Sequence, residues 1–173
     1  VSATNDCDGD GVGNDREALD GTDSDDVCSY ISSSVSLTLV TGPWNSADCD
    51  GDGVTNGQEV TDGTDWASVC SFTFASQTVS PSSNWNAADC DGDGVTNGQE
   101  ITDGTDPTDG CSYTASNITL NQSSAWRDLD CDQDGVTNGQ ELTDGTDPKD
   151  TCSYNAANQV IANVGATWNA ADC

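Results

Sequence analysis

Asp89, Asp91, Asp93, Asn97 and Glu100 occupy positions 1, 3, 5, 9 and 12 of one twelve-residue stretch, Asp89-Cys90-Asp91-Gly92-Asp93-Gly94-Val95-Thr96-Asn97-Gly98-Gln99-Glu100. Alternate side chains of a short loop can all point inward, so this spacing gathers oxygens around one hard divalent cation, which takes roughly six to eight of them. Position 7 contributes only its backbone carbonyl, so Val95 can be apolar. Gly94 at position 6 permits the sharp turn, and Glu100 closes the shell with both oxygens. The chemistry implied is calcium binding by a loop of the EF-hand type.

The stretch occurs four times. The expected ligands are Asp6, Asp8, Asp10, Val12, Asn14 and Glu17 in the first copy, and Asp48, Asp50, Asp52, Val54, Asn56 and Glu59 in the second. The third uses Asp89, Asp91, Asp93, Val95, Asn97 and Glu100, and the fourth Asp130, Asp132, Asp134, Val136, Asn138 and Glu141. One such run could arise by chance in an acidic chain, but four in register could not. Asp172 and Cys173 read as the start of a fifth loop, so the chain is expected to be part of a longer tandem array. One calcium per repeat is the expectation. A second acidic pair in each repeat (Asp20/Asp23, Asp62/Asp65, Asp103/Asp106, Asp144/Asp147) leaves open a second, weaker ion, against the alternative that these residues cap their own turn.

The 173 residues carry a formal charge of −28 with only three basic residues. Nucleic acid and anionic membrane surfaces, which need Lys and Arg, are excluded as partners. Leu, Ile, Val and Phe total only 25 residues, too few for a large core. Ions and disulfides must therefore do much of the folding. Nine cysteines recur every 20 or 21 residues, with no CxxC pair and no His, so zinc arrangements fail and disulfides in an oxidising compartment are expected. Two local registers are open. One closes the second half of each repeat: Cys28–Cys49, Cys70–Cys90, Cys111–Cys131 and Cys152–Cys173. The other begins at Cys7–Cys28 and leaves Cys173 over. A chain excursion that returns on itself favours the first. No apolar run is long enough to span a membrane, and a chain without Met or a signal peptide suits a mature, secreted fragment.

These residues need elements to position them. The repeats are expected at 1–48, 49–89, 90–130 and 131–173, with calcium loops at 6–17, 48–59, 89–100 and 130–141. A short helix follows each loop and stops at a Gly such as Gly63, Gly104 or Gly145. The second halves, 28–48, 70–89, 111–130 and 152–171, alternate in places, as in Val35-Ser36-Leu37-Thr38-Leu39, and predict a strand or small hairpin. An aromatic follows the second-half Cys by two (Tyr30, Phe72, Tyr113, Tyr154), and a Trp precedes the next Cys by five (Trp44, Trp85, Trp126, Trp168). These are expected to form one small cluster per repeat, with the position-7 Val and the residue after Glu (Val60, Ile101, Leu142). Trp66, where other repeats have Ser or Pro, is expected at the surface. The fold class is then a calcium- and disulfide-stapled elongated array of tandem repeats, each a loop and short helix followed by a strand segment.

The run Asp-Cys-Asp-Gly-Asp-Gly-Val-Thr-Asn-Gly-Gln-Glu-Ile-Thr-Asp-Gly-Thr-Asp-Pro, residues 89–107, resembles the bacterial thrombospondin type 3 repeat. The resemblance covers the four loop-and-helix halves and implies the calcium-binding tandem repeats of secreted surface and adhesin proteins of the Bacteroidetes type. It implies a structural calcium array, outside the cell or at its surface. The expected function is a calcium-stiffened rod or filament segment, partnered by calcium and by further copies of the repeat. The alternative is an adhesin whose strand halves contact glycans or host surfaces. Neither a calcium sensor, which needs an apolar groove in which Met is prominent, nor an enzyme, with no His for a triad, is expected.

Overall fold

A computed structural model describes residues 5–166, 168 and 173. The predicted start of a fifth loop falls partly outside them, at Asp172. The chain divides into two compact units, Val1–Asn86 and Ala87–Cys173. Each unit contains two calcium loops.

In the first unit the two loops are followed by helices α1 (Asn14–Asp20) and α3 (Asn56–Asp62), with the short helix α2 (Gly42–Ser46) between them. Helix α4 (Ser83–Ala87) ends at the boundary between the units. The second unit repeats the plan with α5 (Asn97–Asp103), α6 (Ser124–Arg127) and α7 (Asn138–Asp144). Single 3₁₀ turns stand at Ser32–Ser34, Phe74–Ser76, Ala115–Asn117 and Ile161–Asn163.

Each loop helix is seven residues long because its ends are set from outside it. The first N–H is anchored to chain just ahead of the loop: Asn56 donates to the Ala47 carbonyl and Asn138 to that of Leu129, both at 2.8 Å. The helix stops at a glycine in the left-handed region, with φ of 78° at Gly63 and 76° at Gly145, whose N–H returns to the Glu carbonyl four residues back.

The predicted strand and hairpin segments do not form: there is no strand among the described residues. Each second half folds back on its own calcium loop instead. Thr78 and Val79 donate to the Gly53 carbonyl and Ser82 to that of Gly51; Leu120 and Ser123 do the same to Gly94 and Gly92. The acceptors are turn glycines with φ near +80° to +93°, which cannot extend a ladder. With so few bonds available and 3₁₀ turns interrupting the run, the alternating residues of the second half find no second strand.

The disulfides Cys28–Cys49, Cys111–Cys131 and Cys152–Cys173 each close such a half, with Cα separations of 5.2–5.3 Å. Cys70 and Cys90 are disulfide-bonded as well, and Cys7 is an exposed free thiol.

Aromatic side chains and the position-7 valines build the cores, whereas Val60, Ile101 and Leu142, expected to join them, point off the short helices and are 40–48% exposed. Trp44, Trp85 and Trp126 are at most 1% exposed, and Val12, Val54, Val95 and Val136 at most 3%. In the third repeat Val95, Tyr113 and Trp126 pack together with Ile118 against them. Trp126 lies edge-on to Tyr113 at 5.9 Å, and its Nε1 donates to the Gly110 carbonyl at 2.6 Å. Burying a Trp removes roughly 150–250 Å² from water, worth about 4–6 kcal/mol of transfer free energy, so one such residue dominates so small a core.

Trp66 is not the surface residue its position predicts. It is half-buried and meets Trp44 edge-on at 5.5 Å, so a residue of the second repeat covers the Trp of the first. In the second unit Lys149 reaches back similarly. Its ammonium donates to the Tyr113 carbonyl at 2.8 Å and sits 4.5 Å above that ring. The helices pack across the same seams, α2 on α3 and α6 on α7.

Candidate metal centre

The three aspartates of each loop come together. Asp6, Asp8 and Asp10 offer oxygens within 4.8 Å of one another, as do Asp48, Asp50 and Asp52, then Asp89, Asp91 and Asp93, then Asp130, Asp132 and Asp134. Ligands at the 2.3–2.6 Å of a calcium–oxygen bond stand at most about 5 Å apart across the ion, so this spacing suits calcium.

The third loop shows how the cluster is held. Asp89 accepts from the Gly92 N–H with Oδ1 at 2.8 Å and from the Gly94 N–H with Oδ2 at 3.0 Å. Oδ1 of Asp91 accepts from the Asp93 N–H, and Oδ1 of Asp93 from the Val95 N–H. One oxygen of each of these two carboxylates therefore braces the backbone, and the other is left over.

The oxygens left over carry the argument. Asp91 Oδ2, Asp93 Oδ2 and both oxygens of Glu100 are buried without a hydrogen-bond partner. The same holds for Asp8, Asp10 and Glu17 in the first loop and for Asp50, Asp52 and Glu59 in the second. In the fourth, Asp130 Oδ1, Asp132 Oδ2, Asp134 Oδ2 and Glu141 Oε2 are buried and unpartnered. All four Glu side chains are fully buried. Unpaired buried anions are among the costliest features a fold can carry, and a cation removes that cost. The residues fit a divalent ion.

The electrostatics point the same way. Burial, then repulsion from the neighbouring aspartates, pushes Glu59, Glu100 and Glu141 up to about 8 and Glu17 to about 7. Burial likewise raises Asp52, Asp91 and Asp132 to about 7 and Asp10 and Asp93 to about 6. A bound cation reverses the sign of these effects.

The Asn at position 9 also makes local bonds: Oδ1 of Asn56 accepts from the Cys49 N–H and Nδ2 donates to Cys49 Sγ, both at 3.2 Å. Asn14, Asn97 and Asn138 make the same pair of bonds to Cys7, Cys90 and Cys131. Standing first in its helix, this Asn ties helix to loop start. The first Asp of each second acidic pair is taken up by side-chain donors: Asp20 accepts from the Arg16 guanidinium at 2.7 Å and from Ser34 Oγ at 3.1 Å, and Asp62 from Gln58 at 2.8 Å. Asp103 accepts from Gln99 at 2.8 Å and Asn117 at 2.6 Å, and Asp144 from Gln140 at 2.9 Å and Asn158 at 2.7 Å. Asp65, Asp106 and Asp147 each accept the N–H two residues on, the turn-capping role. The clamps from Asn117 and Asn158 could not be read from the chain, because they lie 14 residues from the Asp they hold.

Loop, short helix and returning second half define a class of tandem repeat that encloses one acidic cluster per copy. The sequence profile of the bacterial TSP3 repeat matches residues 48–65, 89–110 and 130–151, so three of the four loop-and-helix segments are similar to that repeat, which in general binds calcium. The first loop lies outside the matched residues, and it departs most from its neighbours, with Gly13, Asp15 and Arg16 where the second has Thr55, Gly57 and Gln58. No curated protein and no solved structure matches the chain. The disulfides and the TSP3 repeats suggest an extracellular setting. Among the described residues no helix is long and apolar enough to cross a membrane.

Proposed function

We propose that the chain is a segment of an extracellular structural rod or filament, stiffened by one calcium ion in each of its four loops. The observation that carries this reading is the set of buried carboxylate oxygens, in every loop, that no donor reaches. The aspartates at 1, 3 and 5 and the glutamate at 12 hold the ion, and the position-7 carbonyl and water complete the shell. Four divalent ions would take the formal charge from −28 to −20. Each loop also receives its own second half through the carbonyls at positions 4 and 6. Ion binding therefore orders a whole repeat, and the seams from α2 to α3 and from α6 to α7 pass that order to a neighbour. A site at 100 times its Kd adds about 2.7 kcal/mol per repeat, comparable to so small a core.

An adhesive role through exposed Trp rings finds less support, because Trp44, Trp85 and Trp126 are buried. Calorimetric titration with calcium tests the proposal, with protease digestion before and after chelation. Four ions per chain and a chelation-sensitive fold are expected. Fewer than one ion per loop, or a fold indifferent to chelation, would refute it.

A further inference from the structure

The four loops are not equivalent, and the fourth departs from the second and third only at position 4. Loops one to three have Gly9, Gly51 and Gly92 there, in the left-handed region with φ of 79° to 80°. The fourth has Gln133 at φ 65°, the one non-glycine residue with positive φ among the described residues. The facing residue changes with it. A side chain on Gly9, Gly51 or Gly92 would run into Thr41, Ser82 or Ser123, whereas Gln133 faces Gly165. Large and small have changed places across one contact, and the backbone bond is kept, Gly165 N–H to the Gln133 carbonyl at 2.9 Å.

The exchange has three consequences, all in the fourth repeat. A side chain in the left-handed region is disfavoured where glycine is not. One of the two braces on the first ligand is gone, while the Gly135 N–H still donates to Asp130 Oδ2 at 3.0 Å. The position-4 N–H donates to Asp6, Asp48 and Asp89 at 2.8–2.9 Å, but Asp130 Oδ1 is buried with no partner. The hydroxyl is gone too. Ser82 and Ser123 accept from the N–H of Trp85 and Trp126 at the start of their Trp helices, and Gly165 has no side chain to do so.

We infer that loop four is the weakest of the four calcium sites and that Gln133 sets its affinity. The inference rests on the calcium reading above. Only the closed loop bears the left-handed Gln and the singly braced Asp130, and only the closed loop binds the ion. The binding-competent fraction of the ion-free loop is therefore smaller than in loops one to three, and the apparent affinity falls with it. An Asp130 oxygen freed from its N–H is a slightly better donor to the metal. That gain is smaller than the loss of backbone preference and brace together, which amounts to about tenfold or more in affinity. The array then loads and unloads calcium unequally, with repeat four last to fill and first to empty.

Calcium titration of the full, disulfide-bonded chain by calorimetry tests this, alongside Gln133→Gly/Gly165→Ser and Glu141→Gln. Hydrogen exchange at sub-saturating calcium locates the sites. The native chain is expected to show three tighter sites and one about tenfold weaker, with the helix after loop four last to gain protection. The double substitution should bring the weak site level with the others. Glu141→Gln should remove the weak site and leave three tight ones. Four equal sites in the native chain, a weak site that survives Glu141→Gln, or one unmoved by the double substitution would overturn the inference while leaving the calcium reading intact. Absence of calcium uptake would overturn both.

Discussion

Gly57→Ala offers a test in which local propensity and tertiary packing predict opposite signs. Gly57 is the second residue of α3, where Ala would ordinarily stabilise a helix by about 1 kcal/mol. A Cβ at Gly57 would lie 2.9 Å from the Asn45 carbonyl oxygen and 3.0 Å from its Cβ and Oδ1. Asn45 belongs to α2, so relief requires lifting that helix from α3. Lifting it stretches the 2.8 Å bond from Asn56 N–H to the Ala47 carbonyl and uncovers Trp44, which is now fully buried. Overpacking of this kind costs about 1–3 kcal/mol, which outweighs the propensity gain and leaves a net loss of about 1 kcal/mol. Asp15 holds the same helical position in the first repeat but is exposed, so Asp15→Ala should move stability by less than about 0.5 kcal/mol. Urea midpoints at saturating calcium, read by circular dichroism, compare the two. A Gly57→Ala chain as stable as the native one, or more so, would refute the account of the seam.

Chelation should abolish protease resistance and much of the helical signal while the disulfides stay intact; an unchanged spectrum would count against metal-dependent folding. The pH response should change sign with calcium. In the ion-free chain the buried acids are raised to about 7 and 8, so the stability linked to them is fully present below their unfolded values near 4. It is lost as pH rises through 6 to 8. In the loaded chain the ligands must be ionised, so stability should fall as pH drops and protons displace the ion. Thermal midpoints from pH 5 to 8, with calcium and with chelator, should slope in opposite directions; parallel slopes would sink the argument. Trp126→Ala removes a buried ring, its contact with Tyr113 and the bond to Gly110, and should cost about 3–5 kcal/mol at its denaturation midpoint.

The acidic clusters were legible in the chain because such a loop is local: its carboxylates lie within twelve residues, and side-chain spacing alone brings Asp89, Asp91 and Asp93 to one point. The helix stops were legible for the same reason, since Gly63 and Gly145 act on the helix that precedes them. Cysteine spacing limited the pairing to two registers. The closing of a second half by Cys111 and Cys131 was decided only when that half folded back onto its loop. The strands failed because alternation describes a side-chain pattern and not a backbone partner. The available partners were the carbonyls of Gly51, Gly53, Gly92 and Gly94, held in turn conformations. Asn97 has the spacing of a ligand, and only the fold showed that its carboxamide also ties the head of the helix to Cys90, through that residue's N–H and Sγ. Trp66 on Trp44, Lys149 over Tyr113 and Gln133 against Gly165 join residues 22 to 36 positions apart. Such contacts depend on how a chain closes upon itself, which no local pattern specifies, and so the tertiary structure alone decided how repeat meets repeat and in what respect the fourth loop differs from the rest.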